Sequence, residues 1–160
     1  MAQTTGSITG ALGKIEISFD DGTTFVDISG STSSIDAIEY ARSSGSKATF
    51  QGTYRLVTVG KQIPAMIVIN CLYTETTGEA TQLAIGNIKT NTPCDLRWQY
   101  ANVTTTPGAK YLEYITLGKS RIVKAALPKI DAESGEPAML AFTVHTGGID
   151  YSEITVPTPG

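Results

Sequence analysis

The chain has 160 residues, a net charge of −3 and a hydrophobic fraction of 41%. These values argue against a disordered chain and against tight binding of a phosphate backbone, and no apolar run is long enough to span a membrane. The charged fraction, 17%, is below the usual quarter. This low charge suits a surface that becomes interface, and it equally suits an ordinary β protein rich in threonine. The first ten residues lack a secretion signal, so we expect synthesis in a cytoplasm.

The first predicted element is a β-hairpin over residues 14–28. Polar and apolar side chains alternate from Lys14 to Phe19, and Thr24 to Ile28 resume a strand pattern. Between them, the sequence Asp20-Asp21-Gly22 supplies residues that tolerate a positive φ. Both strands therefore belong to one antiparallel pair.

Residues 30–47 change character, because serine and glycine crowd this stretch. We predict a long loop, and such loops inside compact domains are usually functional or disordered. One interpretation is an arm that orders against a neighbouring subunit, with the N-terminal tail, residues 1–10, as a second flexible docking segment. The other is a surface loop without a role. The arm residues are Ser34, Ile35, Asp36, Ile38, Tyr40 and Arg42.

A nearly continuous apolar run, Pro64 to Tyr73, predicts a strand covered on both faces. A short helix over about residues 77–89 follows, with Thr76 and Glu79 spaced as a capping box. The apolar face expected for this helix consists of Ala80, Leu83, Ala84 and Ile88.

Clean alternation returns at residues 95–100, which places Trp98 inward and both Arg97 and Gln99 outward. Further strands are expected at residues 111–117, 121–127, 138–146 and 151–156. Many short strands with regular turns predict a mainly β fold, an antiparallel β-sandwich or barrel with one short flanking α-helix. We see no domain boundary, so residues 1–160 form a single domain.

Residues that carry chemistry are sparse. His145 is the only histidine and lies in an apolar strand. Cys71 and Cys94 are expected to be free buried thiols, with a bridge between subunits as the alternative. Gly118-Lys119-Ser120 resembles the end of a phosphate-binding loop, but Glu113 occupies the position where that motif needs glycine. We therefore predict no catalytic, cofactor-binding or metal-binding residues, and we expect that the protein is not an enzyme.

A resemblance to a known family arises from the order of several segments. The sequence from Asp21 to Gly30, DGTTFVDISG, is similar to the N-terminal hairpin of tail tube proteins of long-tailed phages. Ala48-Thr49-Phe50-Gln51-Gly52 follows, then Gly60-Lys61 and an apolar strand that ends in Leu72-Tyr73-Thr74-Glu75. After the predicted helix comes Pro93 to Trp98, PCDLRW. The resemblance covers residues 14–100 well and the remainder by strand pattern alone.

The resemblance implies hexameric rings of this chain, stacked into the hollow tail tube of a virion through which double-stranded DNA passes. The implied partners are other copies of the chain and other tail proteins (tape measure, terminator and tail tip), with no membrane. One alternative is the inner tube of a contractile tail or injection machine. Another is a β-sandwich binding or decoration module that forms no tube.

A lumen that passes DNA has to avoid gripping it, since DNA carries about one negative charge per 1.7 Å of axis. The wall is therefore expected to carry more carboxylates than cations. The competing cations are Lys14, Arg55, Arg97 and Arg121. Candidate lumen-facing acids on alternating strands are Glu16, Asp27, Asp95, Glu113 and Glu153.

Overall fold

A computed structural model describes residues 13–100 and 107–160; the predicted N-terminal tail, residues 1–10, lies outside them. Within these residues the fold is mainly β, with a single short helix, as predicted. In chain order the elements are β1 (Lys14–Ser18), β2 (Val26–Asp27), β3 (Thr32–Ile35), β4 (Arg42–Lys47), β5 (Leu56–Gln62), β6 (Ala65–Leu72), α1 (Ala80–Thr90), β7 (Asp95–Gln99), β8 (Lys110–Leu117), β9 (Arg121–Ala126), β10 (Met139–Thr146) and β11 (Gly148–Thr155).

The strands in the described part of the chain form two sheets and one separate hairpin. Sheet A has the order β11-β8-β7-β1-β2, and sheet B has the order β3-β6-β10-β9. The third unit, which we call the arm, is the two-stranded pair β4–β5 together with its connection, residues 42–62. All pairs are antiparallel. The barrel alternative is not realised, because each sheet keeps two separate edge strands among the described residues.

The core lies between sheets A and B. Alternation along each strand directs every second side chain inward. Sheet A contributes Ile15, Ile17, Leu96 and Trp98, and sheet B contributes Ile67, Ile69, Cys71, Leu140, Phe142 and Val144. Fully burying one large aliphatic or aromatic side chain stabilises a fold by about 1.5–3 kcal/mol. Side chains from both sheets therefore hold the sandwich together.

The predicted N-terminal hairpin is confirmed, although its second strand is shorter than expected. Glu16 pairs with Asp27, and Ile17 with Val26. The turn needs left-handed backbone, with φ of 59° at Asp21 and 76° at Gly22, which explains why aspartate and glycine stand there.

The predicted helix is also confirmed, but its start differs from the capping-box expectation. Glu79 is itself the N-cap and makes no side-chain capping bond. Its carboxylate instead accepts a hydrogen bond from the Thr74 hydroxyl. The buried face consists of Ala80, Thr81, Ala84 and Asn87, whereas Ile88 is exposed. The buried face therefore includes two polar side chains, Thr81 and Asn87, which the spacing of apolar residues did not predict.

One expectation about strand faces is wrong, and a second is right about the face but not about exposure. Strand β6 is covered on one face only, since Met66 and Leu72 are exposed on the other. It lies between β3 and β10 in sheet B, where an apolar outer face stays open. Gln99 does lie on the outer face of sheet A, as predicted, because it is opposite Lys14, yet it is only 5% exposed. Alternation assigns a side chain to a face but does not reveal what covers the end of a strand.

The prediction of a long loop over residues 30–47 is wrong, because this stretch contains strands β3 and β4. Strand β3 pairs with β6 in sheet B, and β4 forms the arm with β5. Serine-rich strands have weak propensity, so the pattern did not reveal them. The long-range pairing with β5 and β6 supplies what local propensity lacks.

Candidate assembly surfaces

The outer face of sheet A gathers most of the predicted acids. Glu16 lies opposite both Asp27 and Arg97, and Arg97 lies opposite Ile115. Because side chains alternate, Asp95 and Glu113 share this face. Asp150, which lies opposite Ile115, joins them. Four of the five candidate acids therefore lie on one surface.

The fifth candidate, Glu153, lies on the other face of the same sheet. It is opposite Leu112, and its carboxylate is 2.7 Å from the Lys110 ammonium. The structure therefore separates Glu153 from the other candidate acids. Glu153 and Asp150 are three residues apart on β11, and side chains an odd number of residues apart point to opposite faces of a sheet.

Arg97 organises the centre of the outer face of sheet A. Its Nη2 and Nε atoms each lie 2.7 Å from Glu16 Oε2, and its Nε lies 3.8 Å from Glu113 Oε2. The guanidinium carbon stacks 3.9 Å from the centre of the Phe25 ring. Lys14 completes the group at 2.8 Å from Glu16 Oε1. Both cations on this face are thus neutralised by carboxylates.

The pKa values follow from these contacts. Burial pushes the pKa of Glu16 up, but hydrogen bonds from Lys14 and Arg97 outweigh it, so the pKa lies below its usual value. The pKa of Asp27 is lowered in the same way by Ser29, against the effect of burial. Burial, with the charge of Asp21, raises the pKa of Asp95. Hydrogen bonds thus favour the ionised form of Glu16 and Asp27, whereas burial disfavours it at Asp95.

The other two cations named from the sequence lie elsewhere. Arg55 is on the arm, where its Nε donates to Ser46 Oγ at 3.1 Å. Arg121 begins β9 of sheet B and donates to Asn91 Oδ1 at 3.1 Å. Neither therefore adds positive charge to the outer face of sheet A.

The sheets expose edge strands. Strand β11 has eight residues and pairs only with β8 among the described residues, and β2 forms the opposite edge of sheet A. Unpaired backbone donors and acceptors along such an edge are a template for pairing with another chain. A monomer would be expected to blunt an edge of this length.

The structure divides the predicted arm residues into two groups. Asn70 Nδ2 donates to Ser34 Oγ at 3.1 Å and to Asp36 Oδ1 at 2.9 Å, and both Ile35 and Ile38 pack against the core. These four side chains therefore belong to the sandwich. Only Tyr40 and Arg42 lie at or beyond the point where the chain leaves it.

The arm stands clear of the sandwich. Every residue of β4 and all but the last residue of β5 are exposed. Its base is fixed where Gln62 Nε2 donates to the Ile149 carbonyl at 3.0 Å and Gln62 Oε1 accepts from the Ile149 amide at 2.9 Å. The exposed apolar side chains of the arm are Phe50, Tyr54, Leu56, Val57 and Val59.

The charge of the arm was missed in the sequence analysis. Between residues 42 and 62 the chain has four cations and no acid. None of the four makes an ion pair with any described residue. A count of charges within this window would have found the feature. The cations are Arg42, Lys47, Arg55 and Lys61.

Cys71 and Cys94 are buried and free. Burial, followed by the charge of Asp95, raises the pKa of Cys94 to about 12. Among residues 13–100 and 107–160, no group of three or more His, Cys, Asp or Glu is arranged to hold a metal ion. The helix that the structure describes is too short and too polar to cross a membrane.

Comparison with known proteins yields structural matches only, since the sequence matches no protein-family model and no curated protein. A chain in a structure of the tube-terminating cap of the anti-feeding prophage is 13% identical, with a TM-score of 0.69 and 96% of each chain covered. A chain in the extended sheath–tube complex of an extracellular contractile injection system, PVC, is 12% identical at a TM-score of 0.68, with 94% of this chain and 95% of that chain covered.

A third match comes from the tail of an empty GTA particle, resolved with C6 symmetry. It is 10% identical with a TM-score of 0.59, and 96% of this chain and 98% of that chain are covered. These matches span nearly the whole of each chain. They confirm, at the level of the fold, the resemblance to tail tube proteins that the sequence indicated. They do not single out long-tailed phages. The chain therefore has the fold found in the tubes and tails of contractile injection systems and of a GTA particle.

Proposed function

We propose that this chain is the repeating structural subunit of a tail tube, built as hexameric rings that stack around a hollow lumen. The observation that carries the proposal is the full-length fold match to components of tube and tail assemblies, one of them resolved with C6 symmetry. The exposed edges of sheet A and the charged face between them support it.

Ring closure would use the two edges of sheet A. Pairing β11 of one subunit with the β2 side of the next continues one sheet around the ring. Such a head-to-tail contact is heterologous and closes by rotation. It satisfies backbone groups that an isolated subunit leaves unpaired. It also keeps the same face of sheet A on the same side in every subunit.

The outer face of sheet A is the proposed lumen wall. Its acids exceed its cations, and Lys14 and Arg97 are already paired with Glu16. A ring repeats each unpaired carboxylate in every subunit. Double-stranded DNA would meet a weakly repulsive wall, screened over about 10 Å at 0.1 M salt, and would slide without binding. The tube would lie in the tail of a virion and contact tape-measure, terminator and tail-tip proteins.

A second candidate is the inner tube of a contractile machine, favoured by the match to the sheath–tube complex. This candidate would have the same hexameric rings, the same stacking and the same lumen wall as the first. Co-purification of the assembled tube with a sheath protein would distinguish it from the tube of a non-contractile tail.

The first test is assembly. We expect rings or tubes of the concentrated protein in negative-stain electron microscopy. A species that stays monomeric in sedimentation at millimolar concentration would refute the tube.

The lumen assignment has a separate test. Asp150→Lys places a cation on the outer face of sheet A, and Glu153→Lys is the matched control on the opposite face. Tubes of both variants should form. At low salt, only Asp150→Lys tubes should retain a fluorescent DNA duplex. Equal retention by both variants would show that this face does not line the lumen.

A further inference from the structure

The arm projects from one end of the sandwich. Its base contacts Ile149 at the start of β11, and β6 begins directly after it. Since Ala65 lies opposite Thr146, this is also the end at which β10 finishes. The arm is therefore anchored where β6 and β11 start.

The connection between β9 and β10, residues 127–138, lies at the other end of β10. Strand β10 has eight residues and spans about 25 Å at about 3.3 Å per residue. All but one residue of this connection are exposed, and Ile130 is 97% exposed. The arm and this connection thus occupy opposite ends of the molecule.

The two surfaces are complementary in charge. Residues 127–138 have three acids, Asp131, Glu133 and Glu136, against Lys129, which pairs with Asp131 at 3.1 Å. Glu75, which follows β6, lies at the same end. The arm offers four cations and no acid. Complementary potentials of this kind favour one docking partner and repel like-charged ones.

The two surfaces are also complementary in apolar character. The arm exposes Phe50 and Tyr54, and the far end exposes Leu127, Ile130 and, on the adjoining strands, Leu72 and Met139. Met139 and Leu72 lie opposite each other, so their side chains form one patch. A two-stranded hairpin alone is only marginally stable in water, so the arm needs a surface to pack on.

We infer that the arm of one subunit docks on the β9–β10 connection of a second copy of this chain, in the next ring of the stack. The inference rests on the proposed tube and names the stacking contact. Because the two surfaces lie at opposite ends of the same chain, each subunit gives an arm in one direction and receives one from the other. The contact does not close on itself and propagates along an axis.

Charge reversal tests the inference. Lys47→Glu with Lys61→Glu reverses the arm, and Glu133→Lys with Glu136→Lys reverses the receiving surface. None of these side chains makes a hydrogen bond to another described residue. Each pair alone should shorten tubes in electron microscopy by about tenfold or more, since the effect is repeated around every ring. All four changes together restore native net charge and should restore length.

The control is Lys89→Glu with Lys124→Glu, which lowers the net charge by four, as the arm variant does, but lies on neither surface. It should leave tube length near that of the wild type. A wild-type chain that forms no ring at all overturns the proposed tube itself. Tubes of normal length in both reversed variants would overturn the stacking contact alone.

A cysteine pair gives an independent measurement. With both native thiols buried, Tyr54→Cys combined with Ile130→Cys should give a ladder of cross-linked subunits under oxidation. Tyr54→Cys combined with Lys89→Cys should not. A nucleic-acid role for the arm is the competing outcome. If Lys47→Glu with Lys61→Glu abolishes binding of a DNA duplex and leaves stacking intact, the inference is wrong.

Discussion

The sandwich and the arm are built from similar side chains but use them differently. In the sandwich, Phe142 is fully buried between the two sheets, whereas Phe50 of the arm is fully exposed. The sandwich makes its own core, and the arm has none. The difference predicts that core substitutions lower the stability of the fold, whereas substitutions of the exposed apolar side chains of the arm leave it nearly unchanged.

The largest effect is expected when phenylalanine is replaced by alanine in each of the two regions. Phe142→Ala should lower the free energy of unfolding by about 3–5 kcal/mol, because it opens a cavity in the core. Phe50→Ala should change it by less than about 0.5 kcal/mol. Urea denaturation of the unassembled protein, monitored by Trp98 fluorescence, measures both. A large loss from Phe50→Ala would mean that the arm packs on its own sandwich.

A smaller effect is expected at the junction between the two regions. Gln62→Ala removes both hydrogen bonds to the Ile149 backbone. Leaving buried backbone groups unpaired should cost about 1–3 kcal/mol. Arg42→Ala removes one exposed bond to the Gly60 carbonyl and serves as the control. Equal unfolding midpoints for the two variants would contradict the anchoring role of Gln62.

A still smaller effect on stability is expected when the arm is shortened. Replacing residues 44–60 with Asn-Gly keeps Gln62 and a two-residue hairpin turn. Unfolding free energy should stay within about 0.5 kcal/mol of the wild type, while tube formation is lost. Deleting residues 33–46 instead removes most of β3 and should unfold the protein, because Ile35 packs on the core. Tubes of normal length from the shortened chain would show that the arm has no part in assembly.

The smallest effect concerns acid. Hydrogen bonds from the Thr24 amide and the Ser18 hydroxyl lower the pKa of Asp20 to about 2. Since the folded-state pKa lies below the unfolded value of about 3.9, the stabilisation is complete above about pH 4 and is lost as the pH falls towards 2. Asp20→Asn should flatten this part of the stability profile. An unchanged acid profile would place the pH dependence in other carboxylates.

The sequence predicted the sandwich wherever local pattern and tertiary environment agree. Strict alternation around Ile15 and Ile17 gave the first hairpin, and spacing gave the helix. It failed at β3 and β4, where serines carry no strand signal and pairing with distant strands decides the conformation. It also failed at Ile88, because the helix buries Thr81 and Asn87 and leaves Ile88 exposed.

For the proposed assembly surfaces, the sequence alone determined which residues are charged and which residues of one strand point to the same face of the sheet. That was enough to name candidate lumen-facing acids, because alternation fixes the relative orientation of side chains within one strand. Only the tertiary structure decided that Glu16, Asp95 and Glu113 lie on one face and Glu153 on the other. The register between strands sets this relation, and register is a long-range property of pairing. The same pairing decided that four cations share one exposed arm, at the opposite end of the molecule from Glu133 and Glu136.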